Sequence, residues 1–291
     1  MIMNHITKIK ANISIYSTKK TSNILDGSYK SIYKGRSMNF EDLREYVMGD
    51  NVRDIDWKAS ARSGSLLVRQ FIAEKKHNIM IVFDIGKKML ADTKKDESKK
   101  DIALMTAGTI AYLANNNGDY VGSIYNKNNK IQYYPFKYGL YNIEKILTNY
   151  EKDVEESSDV SLEKSLNYII KYIKKKMIIF IITDIDGIRN IEDTTLKKLM
   201  PMHDVLFVNI TDANITGEKA FDVQNELYIP ELIFKDKKLK ELEENLKKQI
   251  YETSEKRLKR YGIPMISIES NDEIPIKVID LLERHRHANI R

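Results

Sequence analysis

The chain has 291 residues, 42% hydrophobic and 31% charged, which is enough apolar content for a packed core and excludes a wholly disordered chain. It has no cysteine, which excludes disulfides, thiolate metal sites and cysteine nucleophiles, and suits a reducing cytosol. Its 48 Lys and Arg against 42 Asp and Glu leave a net charge of +6 spread along the chain. Neither zinc spacing nor an aromatic–basic sheet pattern accompanies that charge, so no nucleic-acid partner is expected.

Residues 1–30 are polar and turn-rich, with Asn23, Asp26 and Gly27 as punctuation, and read as an extended or partly helical lead-in. No continuous apolar core of a secretory signal appears there. Residues 31–75 are dense in charge, with a strand-like Leu66-Leu67-Val68 near their end. The pattern then changes. Residues 78–84 (NIMIVFD) form an apolar run closed by an acid, the form of a central parallel strand.

A helix is predicted over 98–115, where Ile102, Met105, Thr109 and Leu113 recur at helical spacing until Asn117-Gly118. Strands follow at 120–125 and 130–135, joined by the polar turn 126–129. Helices are predicted over 140–150 and 161–175, the latter carrying Leu162, Leu166, Ile169 and Ile173. Residues 177–183 (MIIFIIT) make a second buried strand, again closed by an acid, Asp184. Its apolar residues, 177–182, are the longest purely apolar stretch; a membrane helix needs roughly 20, so no span is expected.

A helix at 191–200, a strand at 205–210, a long helix at 236–261, a strand at 265–268 and a helix at 275–287 complete the alternation. Leu239, Leu242, Leu246, Ile250 and Leu258 define the apolar face of the long helix, whose polar face is rich in lysine. His285 and His287 read as a solvated helix end. The whole predicts an α/β fold: a doubly wound, mostly parallel sheet over 77–291, preceded by a charged N-terminal subdomain in 1–76. Ligands of such sheets sit at the carboxyl ends of the strands, and Asp84 and Asp184 both fall there.

The most distinctive stretch is 35–74, GRSMNFEDLREYVMGDNVRDIDWKASARSGSLLVRQFIAE. Its Gly35, Phe40, Leu43-Arg44-Glu45-Tyr46, Gly49-Asp50, Arg53, Ile55-Asp56-Trp57-Lys58, Ala61-Arg62, Val68-Arg69 and Glu74 resemble the family called domain of unknown function 58. The similarity continues through Asp84, Gly118-Asp119-Tyr120-Val121-Gly122 and Thr183-Asp184. This resemblance implies a von Willebrand factor type A-like domain and a short, soluble, cytoplasmic form of the family. It also implies partnership with a MoxR-type AAA+ ATPase or that ATPase's protein client.

Two readings of the signature residues Arg44, Tyr46, Gly49, Asp50, Arg53, Asp56, Trp57 and Arg62 stand side by side. They staple a loop-rich subdomain through arginine–carboxylate pairs, with Trp57 as its apolar anchor, or they form a docking surface.

The resemblance also raises a metal site, since type A domains hold a divalent cation through an Asp-x-Ser-x-Ser loop, a distant Thr and a distant Asp. Here the positions correspond to Asp84, Gly86, Lys88, Ser158 and Asp184. Both loop hydroxyls are missing, and magnesium demands octahedral oxygen coordination, so neither this metal nor another cofactor is expected. Either Lys88 replaces the cation and neutralises Asp84 and Asp184, or it points into solvent while waters replace the hydroxyls.

No Gly-rich phosphate loop, Gly-x-Ser-x-Gly elbow or His-Glu-x-x-His pair occurs. The expected function is therefore a non-catalytic adaptor. The alternative is a metal-dependent hydrolase or nuclease using Asp84, Asp184 and Asp186.

Overall fold

The computed structural model describes residues 4–16, 29, 42–70, 76–156, 160–216, 221–222, 227–228 and 236–288. Helix α1 (Asn4–Tyr16) opens the chain, and strand β1 (Asp42–Glu45), helix α2 (Trp57–Ser63) and strand β2 (Leu67–Gln70) make up the signature segment. Strand β3 (Asn78–Phe83), helix α3 (Lys99–Asn116), strands β4 (Tyr120–Lys127) and β5 (Lys130–Lys137) and helix α4 (Leu140–Glu156) follow. Next come α5 (Leu162–Tyr172), β6 (Ile178–Thr183), the short α6 (Ile185–Arg189), α7 (Asp193–Leu199) and β7 (Asp204–Ile210). Two short strands, β8 (Phe221–Asp222) and β9 (Leu227–Tyr228), precede α8 (Lys237–Arg260), β10 (Met265–Ile268) and α9 (Ile274–Ala288).

Six strands form one sheet in the order β10-β7-β6-β3-β4-β5. Every pairing is parallel except β4 with β5. That exception is a hairpin, and Asn128 and Asn129 at its tip both take left-handed backbone angles, a conformation asparagine tolerates. The doubly wound, mostly parallel sheet is thus observed. Its order reverses beside β3, between β4 and β6, which is where such sheets open a crevice at their carboxyl edge.

Period-two alternation sorts the strand side chains into two layers. Ile79, Ile81 and Phe83 join Ile102 of α3, Ile146 of α4 and Val278 of α9 in one core cluster. Met80 and Val82 join Leu166 of α5, Leu196 of α7 and Leu258 of α8 in the other. All six residues of β3 and of β6 are buried, which accounts for their unbroken apolar sequence.

The helices correct two expectations. The lead-in is not separate from the sheet domain: Ile6, Ile9 and Ile13 of α1 lie in the first core cluster, as does Tyr29. Glu144, almost fully buried, takes the N–H groups of His5 and Ile6 on its two carboxylate oxygens at 3.0 Å each, capping α1 from α4. Gly108 of α3 makes the approach possible, because a Cβ there would stand 2.1 Å from Ile9 Cδ1. The boundary drawn at 76/77 therefore cuts through a packed core.

Helix α8, second, buries only Ser254 and Leu258. Leu239, Leu242 and Leu246 stay exposed, so the apolar periodicity of its first half does not mark a core face.

Candidate functional site

Each of the three central parallel strands releases a carboxylate at its C-terminal end. Asp84 follows β3, Asp184 follows β6 and N-caps α6, and Asp212 lies two residues beyond β7. Because β3, β6 and β7 are neighbours in register, their ends bring the acids together. Burying carboxylates is costly unless cations and donors meet them, and here both do.

The Asp84 oxygens receive the Gly86 N–H at 3.0 Å and the Thr183 hydroxyl at 2.6 Å. Lys88 Nζ stands 2.9 Å from Asp84 Oδ2 and 2.6 Å from Asp184 Oδ1. Lys99 Nζ lies 3.0 Å from the other Asp184 oxygen and makes a short contact with Asp212 Oδ1. Asp184 also accepts the Gly187 N–H at 2.8 Å. The result is a chain, Asp84–Lys88–Asp184–Lys99–Asp212, with three acids and two ammonium groups.

Position along this chain sets the electrostatics. Burial lowers the proton affinity of the Lys88 ammonium, but the Asp84 and Asp184 carboxylates outweigh it and raise its pKa above the ordinary lysine value. Burial pushes the Asp184 carboxyl up, but Lys99 and Lys88 hold it below the usual carboxylate range. Asp212 is raised, by burial first and by neighbouring Asp184, against the pull of Lys99. Gly187 seals the arrangement from α6: a Cβ there would lie 1.9 Å from Thr183 Oγ1, 2.9 Å from Asp84 Oδ2 and 3.0 Å from Lys88 Nζ.

The expected lysine bridge is therefore in place, and Lys88 does not point into solvent. Gly86 brings only its N–H, and Ser158 lies outside the described residues. The donor set does not fit magnesium, because an ammonium stands between the two carboxylates where the cation would have to sit. Among the described residues no group of three or more His, Cys, Asp or Glu is gathered to hold a metal. Asp186, the third acid of the hydrolase alternative, is exposed beside Arg189 and takes no part in the cluster. His285 is buried rather than solvated, and burial lowers its proton affinity.

Two members of the cluster, Lys99 and Asp212, escaped the sequence reading, though each left a signal. Lys99 shares a helical face with Ala103 and Thr106, so spacing alone marks a buried cation. Asp212 repeats the motif of an apolar strand closed by an acid. Thr183, the last residue of β6, puts its hydroxyl beside Asp84.

The signature segment is built separately. β1 pairs antiparallel with β2, and Ile55 bridges Val68 from the other side. Ile55 and Val68 are its two buried apolar side chains among the described residues, and neither belongs to the two large clusters.

Arg44 grips Asp50 through both guanidinium nitrogens, at 2.7 and 2.6 Å. Together with the Val47 N–H, it holds the Asp50 carboxyl below the usual range. Gly49 takes φ +112 in the turn between them, which a β-carbon would disfavour. Asp56 caps α2 by accepting the Lys58 and Ala59 N–H groups.

Arg44, Gly49, Asp50 and Asp56 thus serve geometry, and Tyr46 donates its N–H to Leu66 O. The expectation for Trp57 fails: it is 64% exposed and anchors nothing. It is the first residue of α2, directly after the capping Asp56. Arg53 and Arg62 are also exposed.

The chain is similar to several known proteins. Uncharacterized proteins of Mycobacterium bovis and Mycobacterium tuberculosis are 29% identical over 106 residues, spanning 36% of this chain and 33% of theirs. The match thus spans about a third of the length of these curated relatives. Among solved structures, an aerotolerance-related membrane protein from Bacteroides fragilis aligns over 71% of this chain and 98% of its own, at 13% identity and TM-score 0.43. The VWA domain of SpRpn10 aligns over 72% and 94%, at 9% identity and TM-score 0.35. Residues 42–216, more than half of the chain and including both the signature segment and the acid–lysine cluster, match the model of the protein of unknown function DUF58, and the chain belongs to that family.

Proposed function

We propose that this chain is a non-catalytic, metal-free, protein-binding adaptor of the cytoplasm. Its partner would be a MoxR-type AAA+ ATPase or that ATPase's client, in the assembly or activation of a client complex. The observation that carries the reading is the Lys88 ammonium between Asp84 and Asp184. A hydrolase at this edge needs a free carboxylate base or a metal-activated water. Both acids are already committed to an ammonium and to backbone or hydroxyl donors. The partner class follows from the family resemblance. No described helix is long and apolar enough to cross a membrane, which accords with action in an aqueous compartment.

The test is affinity purification of the full chain from its native host, with ATP and crosslinking. A co-purifying AAA+ ATPase is the expected result, and none recovered counts against the adaptor. Calorimetry with magnesium should give no binding heat. Micromolar binding lost in Asp84→Ala, or metal-dependent phosphoester hydrolysis lost in Asp184→Ala, would favour the hydrolase instead.

A further inference from the structure

The signature segment turns more apolar surface outward than inward. Against the buried pair Ile55 and Val68, it exposes Val47, Met48, Val52, Trp57 and Leu66, with Met48 at 96% and Trp57 at 64%. Soluble proteins rarely leave such residues bare without a use. Backbone hydrogen bonds bring several of them together. Tyr46 N–H bonds Leu66 O and Asp56 N–H bonds Leu67 O, so Val47 and Trp57 follow immediately on either side of the Leu66–Leu67 pair.

The charges divide into spent and free. Asp50 is held by Arg44 and Asp56 by the α2 backbone. Arg53, Lys58 and Arg62 are exposed and make no side-chain pair among the described residues. On α2, which Trp57 opens, Lys58 and Arg62 lie one turn apart, and the helix (WKASARS) carries no acid. Glu45 and Asp54 also lack a side-chain partner among the described residues, but they lie off this helix. Trp and Arg are the residue types in which interface hot spots are enriched.

We propose that this face, centred on Trp57 with Lys58, Arg62 and Arg53 around it, docks an acidic protein segment carrying an aromatic or aliphatic anchor. The apolar residues would receive the anchor while the three unpaired cations meet its carboxylates. The mixed sign of the surrounding segment and its bare aliphatic residues favour a protein over a nucleic acid or a lipid surface. This rests on the adaptor reading and names the chemistry of its docking face.

Trp57 is the only tryptophan in the chain, so its emission reports on the face directly. The full chain is titrated with a random glutamate–tyrosine copolymer, and with a lysine–tyrosine copolymer, a single-stranded oligonucleotide and phosphatidylserine vesicles as rivals. A saturable blue shift with the acidic copolymer is expected, at least about tenfold tighter than with any rival, a gap of roughly 1.4 kcal/mol. The combined variant Arg53→Glu, Lys58→Glu, Arg62→Glu should lose about tenfold or more while melting like the parent, because the three side chains support nothing. No blue shift, an equal response to a rival, or undiminished binding by the variant would overturn the proposal.

The parent and the variant are also carried through the crosslinking purification. An ATPase recovered equally with both, with no copolymer binding, sinks the docking face and leaves the adaptor standing. Charge-dependent copolymer binding with no ATPase recovered supports the face and removes its assigned partner.

Discussion

Lys88 lies at the meeting point of two strand ends, and its removal isolates what the bridge does. In Lys88→Met the stem is kept and the ammonium is lost, leaving Asp84 and Asp184 with nothing cationic between them. Breaking a buried pair from one side costs about 3 kcal/mol or more, most of it the unpaired charge. Denaturation of the variant at pH 7 should show that loss. The sign of its pH dependence follows from the shifts. Asp184 is depressed in the fold, so its contribution is complete above the unfolded carboxylate value of about 3.9 and disappears as pH falls below it. Lys88 is raised, so its contribution is complete below about 10.4 and disappears only as pH rises past its folded value. Asp212, raised, opposes Asp184 and softens the acid limb. The parent cluster should therefore show no alkaline loss below about pH 10.4, and its acid limb should set in as Asp212 and then Asp184 take up protons. The variant should recover part of its deficit as pH falls, where a buried carboxyl without its ammonium takes up a proton more readily. A deficit that stays constant with pH would mean that Lys88 contributes packing rather than charge.

At the scale of elements, local pattern and long-range contact divide what could be read. Strands β3 and β6 and helix α3 were legible because burial on every side, or on one helical face, writes itself into consecutive residues. Helix α1 was not. Its Ile6, Ile9 and Ile13 keep helical spacing, but β-branched and asparagine residues are poor helix formers, and the Glu144 that caps it lies more than a hundred residues away. The Asp84–Lys88–Asp184 part of the site was legible through the family resemblance, with Lys88 four residues beyond Asp84; Lys99 and Asp212 join it only in the folded chain. The loop at 211–216 shows the same dependence on a distant residue. Glu243 of α8 accepts the Ile215 and Thr216 N–H groups and the Thr216 hydroxyl, and pairs with Lys247 at 2.9 Å. Burial pushes its carboxyl up, but these donors win and hold it at about 2. The tether should stay intact above the unfolded value of about 4.3 and open as pH falls toward about 2, read as faster amide exchange at Ile215 and Thr216. In Glu243→Gln those amides should exchange faster already at neutral pH, with no further change across that window.

The described residues form a sheet domain with a core on each face, one of which α1 completes, and a signature segment with its own two-residue core. This predicts opposite outcomes for two deletions. Removing residues 1–16 uncovers Ile6, Ile9 and Ile13 contacts in the main cluster and leaves Glu144 buried without its donors. Each buried isoleucine is worth about 1.5–3 kcal/mol, so the loss should reach about 5 kcal/mol. At about 2–4 °C per kcal/mol for a domain of this size, the midpoint should fall by roughly 10–20 °C. Replacing residues 42–70 by a glycine–serine linker removes Ile55 and Val68, which belong to neither main cluster. That deletion should move the midpoint by no more than about 3 °C, within the range of a 1 kcal/mol change. Melting curves of the two variants, followed by far-ultraviolet circular dichroism, measure both. A collapse of the second as deep as that of the first would mean that the signature segment supports the sheet. Its exposed apolar side chains would then have to be explained by folding rather than by docking.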